Sequence, residues 1–265
     1  MQPAVALEFC RIGFLNMLAF RLRYYTGVIT YFINVTVYYF IWRAIYQIDP
    51  AFAGFGFRAM VTYVAVGWII RSMYFNNIDT EMAEDILEGR ITMALLKPAS
   101  LQMSYMARAG GESLFRLLLL SSPTAAVLAV VFPVLPPAGP AHLAVFLVSL
   151  AGSVLLVSSL NFIVGSCAVV MISILGVLRA KFWMQDLLSG LLVPITLFPG
   201  PLRELSGWLP FEHIGYTPLM IYLGKLTWPQ IARSLALEAF WIAFLLVFGA
   251  WFWRAMSRKL SIHGG

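Results

Sequence analysis

Charge is what this sequence has least of. Its 18 Lys and Arg and 12 Asp and Glu make only 11% of 265 residues, against about 25% in a soluble globular domain. With 61% hydrophobic residues and a mean hydropathy of +0.84, the chain reads as a polytopic membrane protein. Cysteine is nearly absent: Cys10 and Cys167 stand in separate apolar stretches, which supports neither a disulfide framework nor a thiolate metal site. The three histidines, His142, His213 and His263, are too far apart to share a helix face, so no metal or haem site is expected. A phosphate-binding loop is missing too. Gly224-Lys225 would need a Gly five residues before Gly224 and a Ser or Thr after Lys225, and Leu219 and Leu226 hold those places. No cofactor and no catalytic residue is expected in this chain. The basic residues are scattered rather than striped, which argues against nucleic acid as a partner despite the net charge of +6. A basic leader with an apolar run and a small-residue cleavage site is also lacking, and Arg11, Arg21 and Arg23 interrupt the start, so the N-terminal stretch is expected to be retained.

What remains is long apolar segments. The length accommodates about six spans of ~20 residues and leaves no room for a further soluble domain of ~100 residues; any energy-supplying enzyme is then another chain. Residues 3–23 mix Leu7, Phe9, Phe14, Leu15 and Leu18 with Glu8, Arg11, Asn16 and Arg21, the pattern of a helix lying in the membrane interface. The first span is 24–48. It carries Tyr24, Tyr31 and Tyr38 in one heptad-spaced column and Tyr25, Phe32, Tyr39 and Tyr46 in another. That aromatic face is either the wall of a path or seam, or an ordinary packing surface with interfacial belts. The second span is 59–76 and the third 112–132, preceded by Ala107 and Gly111 at small-xxx-small spacing. An uncharged turn holds Pro133, Pro136, Pro137 and Pro140.

The stretch 141–178 would run ~57 Å as one helix against a ~30 Å hydrocarbon core. It is read as a fourth span rich in small residues, kinked near Gly165 or Gly176, with an extension reaching Arg179 and Lys181. Asn161 inside it either bonds a neighbouring helix or lines a polar path. The fifth span, 182–198, is interrupted by Ser189-Gly190 and Pro194. The 199–230 segment is too broken by Pro and Gly to cross and too apolar to be a free loop, so it is assigned to re-entrant, half-inserted helices on the outer side. There Glu212 and His213 either gate or sense protons, or anchor a half-inserted helix. The sixth span is 233–253. Glu112, Asp186 and Glu238 fall near the expected span ends, which weakens a proton-driven secondary carrier.

One stretch departs from all this. Residues 79–98 carry Asp79, Glu81, Glu84, Asp85 and Glu88, five of the twelve acids, with Ile78, Met82, Ile86 and Leu87 recurring at helical spacing. The pattern predicts an amphipathic helix of about three turns, capped by Asp79 or Thr80 and ended near Gly89. On the water side it is either a plain solvated loop or a contact surface for a soluble partner. If it faces the cytoplasm together with both termini, thirteen of the eighteen Lys and Arg face inward and Arg43, Arg58, Arg203, Lys225 and Arg233 face outward, as the positive-inside tendency requires.

Three motifs add a resemblance. ILEGRITMALLKPAS, GLLVPITLFPGPLRELSGWLPF followed by x-x-I-x-Y-x-P, and the terminal Gly264-Gly265, in this order of elements, resemble the permease subunits of ABC-2-type transporters, in particular a branch of about this length that pairs two permeases with one ATPase. The resemblance implies a six-span, all-α permease of a bacterial inner membrane, with an interfacial N-terminal helix, a cytoplasmic coupling helix and outer re-entrant helices. It implies dimerisation with a second copy or a related permease, ABC ATPase subunits as partners, ATP and magnesium on those subunits, and membrane lipids around them. Glu81, Glu84, Asp85, Glu88 and Arg90 would then meet the ATPase while Ile86 and Leu87 fill an apolar groove in it. Tyr31, Asn34, Tyr38, Trp68, Pro194 and Phe198 would belong to spans lining the path, and hydrophobic or amphiphilic cargo would be exported. Two other readings are a membrane anchor for a soluble partner and a secondary carrier.

Overall fold

The computed structural model describes residues 3–19, 22–50, 52–97, 99–171, 173–191 and 193–260. Arg21, Pro98, His263, Gly264 and Gly265, and the side chains of Arg23, Tyr24 and Tyr25, lie outside the described residues. The chain is helical, with no strand among the described residues. In order come α1 (Pro3–Ala19), α2 (Leu22–Ile48), α3 (Phe57–Tyr74), α4 (Ile78–Leu87) and the single turn α5 (Ile91–Leu95). They are followed by α6 (Leu101–Arg116), α7 (Ser122–Val131), α8 (Pro140–Ser166), α9 (Leu175–Leu188), α10 (Gly200–Trp208), α11 (Tyr216–Tyr222) and α12 (Trp228–Ser257). Four stretches are long and apolar enough to cross a membrane: Thr26–Ile48, Leu101–Val131, Pro140–Val169 and Trp228–Ser257.

The centre is α8. It is apolar on every side, so it can be surrounded by protein, and α3, α4, α6, α11 and α12 all pack on it. Its small residues allow the close approaches: Ser149, Gly152, Ser153, Ser158, Ser159 and Gly165 are buried. The main core joins Val35 and Tyr46 of α2, most of α3, Leu150, Val154 and Leu156 of α8, and Leu219 to Ile221 of α11. A second core lies beneath α4 and is made of Ile78, Met82, Ile91, Tyr105, Met106, Phe162 and Trp253. By contrast α2 and α12 keep apolar faces open, with Ile29, Ile33, Val37, Phe240, Phe244 and Trp251 exposed.

α6 and α7 form one continuous run because the turn between them, Leu117–Ser121, is a π-helix. Pro123 causes it. Lacking an N–H and crowding the carbonyl one turn back, proline is accommodated by an added residue in the turn. The Leu117 carbonyl accepts both the Ser122 N–H and, at 2.7 Å, the Ser122 hydroxyl. The third apolar run therefore begins at Leu101 rather than at residue 112. α1 lies across its start, and the contact is made by glycines. A methyl group on Gly111 would overlap the Cys10 carbonyl, and one on Gly13 would overlap that of Arg108. The close helix contact that the Ala107–Gly111 spacing suggests is made at Gly111, against the backbone of α1.

Two expectations are corrected. The 141–178 stretch is not one kinked helix: α8 ends at Ser166, a 3-10 turn covers Cys167–Val169, and α9 starts afresh at Leu175. The Ser173 hydroxyl accepts the Leu175 N–H at 3.5 Å there. In the 182–198 stretch α9 stops at Leu188, at the interruption expected from Ser189-Gly190, and Gly190 takes φ +72°. The irregular backbone that follows is satisfied by protein, as depth in a membrane demands: the Tyr63 hydroxyl donates to the Gly190 carbonyl and the Tyr216 N–H to the Ser189 carbonyl at 2.8 Å. Lastly, the middles of the long helices are not free of charge. Glu238 is the eleventh of the thirty residues of α12 and is buried, and Glu112 and Arg116 sit midway along Leu101–Val131, 3.5 Å apart. The helices outrun the ~20 residues assumed for a span, and each of these groups has a partner on the protein.

Candidate functional site

α4 begins at Ile78, with Asn77 as its N-cap residue, before the expected caps Asp79 and Thr80. Ile78, Met82 and Ile86, spaced by four, turn inward onto α8 and α6, while Thr80, Glu84 and Leu87 face out, the periodicity of a one-sided helix. Gly165 permits the close crossing, because a methyl there would press on Met82 and on the Asp79 backbone. At the far end the Glu88 N–H bonds the Glu84 carbonyl at 2.9 Å and Gly89, at φ +74°, ends the helix in the left-handed conformation favoured by glycine.

The root of α4 is held by charges that the amphipathic pattern does not single out. Asp79 is buried. One of its oxygens accepts the Thr80 N–H at 2.9 Å and the other accepts from Lys181 Nζ of α9 at 2.5 Å. Lys181 also donates to Asn161 Oδ1 at 2.6 Å. Asn161 Nδ2 donates in turn to the Asn76 carbonyl and side-chain oxygen at 3.0 and 2.9 Å, and Asn76 Nδ2 donates to Ser158 Oγ at 3.1 Å. Asn161 is thus engaged in bonds to its neighbours. Further along α9, Asp186 takes a two-pronged bond from Arg71 of α3 at 2.6 and 3.1 Å. α9 is therefore pinned at Lys181 to the root of α4 and at Asp186 to α3. Between the pins lies a polar cavity of about 30 Å3, bordered by Asn161, Lys181, Gln185 and Asp186, with room for a water or two.

The tip of α4 is partly knitted into its surroundings. Glu81 pairs with Arg108 of α6. Asp85 accepts from Arg90 Nε at 2.9 Å and from the Tyr105 hydroxyl at 3.0 Å, and Glu88 pairs with Arg90. Glu84 has no ion pair among the described residues. Leu87 is 59% exposed and Met93, Leu95 and Leu96 of the next turn are exposed as well, whereas Ile86 packs into the protein's own core. Of the seven residues expected to face a partner, Glu84 and Leu87 are the open ones, Glu81, Asp85, Glu88 and Arg90 are engaged within the chain, and Ile86 points inward.

The candidates for a path fall into two groups. Tyr31 and Trp68 meet with ring centres 5.6 Å apart, and the Arg71 guanidinium lies 5.4 Å over Trp68. Tyr38 packs against the main core, and Asn34 Nδ2 turns back to its own helix, donating to the Thr30 carbonyl at 2.8 Å. Pro194 and Phe198 flank the 3-10 turn after α9. In the outer segment His213 is buried, its Nδ1 lies 3.1 Å from Thr217 Oγ1, and its carbonyl accepts from Ser153 of α8 at 3.1 Å. No hydrogen bond joins it to the half-buried Glu212 among the described residues. Ser149, one turn from Ser153, donates to Glu238 at 3.0 Å; the serines of α8 have no acidic neighbour in the sequence, and this partner is 89 positions away.

The family model described as an ABC-2 family transporter protein matches residues 32–264, from the middle of α2 through the whole of the pinned helix and the outer segment. The chain belongs to that family. No curated protein and no solved structure matches it. As an ABC-2 family protein it is a multi-pass membrane permease, a transport component.

Proposed function

We propose that this ABC-2 permease is the membrane half of an ATP-driven exporter whose ATPase docks on the tip of α4. The observation that carries the proposal is the asymmetry of that helix. Its root is fixed to α8 and α9 through Asp79, Asn161 and Lys181, while its tip leaves Glu84 and Leu87 open. A push on the tip of a rigid helix reaches α6 through the Glu81 and Asp85 contacts and α9 and α3 through two ion pairs. A free carboxylate beside an exposed leucine suits a partner surface with a cation next to an apolar hollow.

On this reading the spans are α2, α3, the run Leu101–Val131, α8, α9 with the broken segment after it, and α12, with α10 and α11 as the outer half-inserted helices. Both termini and α4 are cytoplasmic, as the distribution of Lys and Arg favours, in a bacterial inner membrane. The permease works as a dimer with itself or a related permease, and ATP and magnesium stay on the ATPase. The exposed apolar face of α2 supplies a surface for the second subunit, and Tyr31 and Trp68 border a path for hydrophobic or amphiphilic cargo. Glu212 and His213 belong to its outer end.

The test is a double substitution, Glu84→Lys with Leu87→Asp, on the two side chains that the rest of the chain does not use. The permease should insert and keep its thermal stability, yet lose co-purification of the ATPase. Undiminished co-purification and cargo-stimulated ATP hydrolysis in this variant would overturn the docking assignment.

A further inference from the structure

A groove of about 220 Å3 runs between α1, the α4–α5 turn and the first turns of α6. We propose that it binds the headgroup of an anionic phospholipid. Its lining includes Arg90, Lys97 and Arg108 beside the carboxylate of Asp85, with Glu81 and Glu88 paired to Arg108 and Arg90. Arg90 and Arg108 each pair with carboxylates of α4 and its C-terminal turn, but a guanidinium has five donors and these pairs leave some over. Lys97 has no carboxylate partner among the described residues; its ammonium stands 5.8 Å over the ring of Phe9. The chemistry is that of a phosphate monoanion or dianion held by an ammonium and two guanidinium edges.

A free phosphate would satisfy the same groups, and two observations favour a lipid. Phe9, Met93 and Leu101 form an apolar side of the groove, which a bare anion does not need and acyl chains do. The groove also stands at the base of the spanning run Leu101–Val131, whose last charge is Arg116, so it lies where headgroups meet water. The inference needs only that the chain sits in a membrane and is independent of the ATPase assignment.

The test uses the purified full chain, without ATPase, in native mass spectrometry with phosphatidylglycerol, phosphatidylcholine and inorganic phosphate as probes. Phosphatidylglycerol should be retained in preference to phosphatidylcholine and should survive millimolar phosphate. Lys97→Glu should cut its retention about tenfold or more, and Lys97→Arg should restore it. Lys97 is exposed, so both variants should unfold at the wild-type temperature. Equal retention of the two lipids, retention unchanged in Lys97→Glu, or displacement by phosphate would each overturn the proposal, the last by showing a free-anion site.

Discussion

Removing one member of the Asp79–Lys181 pair should cost far more than removing both. The two side chains are 6% and 16% exposed and 2.5 Å apart. Asp79→Ala leaves the Lys181 ammonium with Asn161 as its remaining partner, and deleting one partner of a buried pair costs about 3–5 kcal/mol. Lys181 has a flexible stem that can carry its charge toward water, so the lower end of that range applies, about 3 kcal/mol. At ~2–4 °C per kcal/mol for a chain of this size, the unfolding midpoint should fall by roughly 6–12 °C. Lys181→Met should fall comparably, because it strands the carboxylate with little beyond the Thr80 N–H. Asp79→Leu with Lys181→Met strands neither charge and should recover most of the loss, a coupling of about 2 kcal/mol or more in a double-mutant cycle. Thermal unfolding in detergent, followed by size-exclusion fluorescence on the four proteins, measures it. Single variants within ~0.5 kcal/mol of wild type, or losses that simply add, would show that the pin does not hold α4, and the lever argument would fall with it.

Two further outcomes follow from the packing. Gly111→Ala puts a methyl against the Cys10 carbonyl, an overpacking worth about 1–3 kcal/mol; α1 should become open to protease while the rest of the chain stays protected, and unchanged digestion would contradict the glycine contact. Ser149→Ala withdraws the hydrogen bond that the Glu238 carboxyl receives from α8, a loss of about 1–3 kcal/mol for a buried polar group. A thermal midpoint identical to wild type would mean that Glu238 finds another partner.

Composition was enough for the class of molecule. A chain so poor in charge and so rich in apolar runs can satisfy its backbone in lipid only as helices or a closed barrel, and runs of this length are helical. The acidic stretch announced α4 for an equally local reason: Ile78, Met82 and Ile86 share a face whatever they pack against. The motifs around residues 86–100 and 190–218 carried the family. Less legible were the ends of elements. The π-turn before Pro123 lengthened the third run, and the kink expected near Gly165 or Gly176 proved a full break after Ser166, because hydropathy measures affinity for lipid and says nothing of backbone direction.

The sequence by itself determined that acids and apolar residues alternate along α4, since side-chain order fixes which groups share a helical face. Only the tertiary structure decided which acids are free. Asp79 and Glu84 look alike in the sequence, yet one meets a lysine 102 positions away and the other has no ion pair among the described residues, because the strength of an ion pair depends on distance and burial, and neither is a property of the chain until it folds.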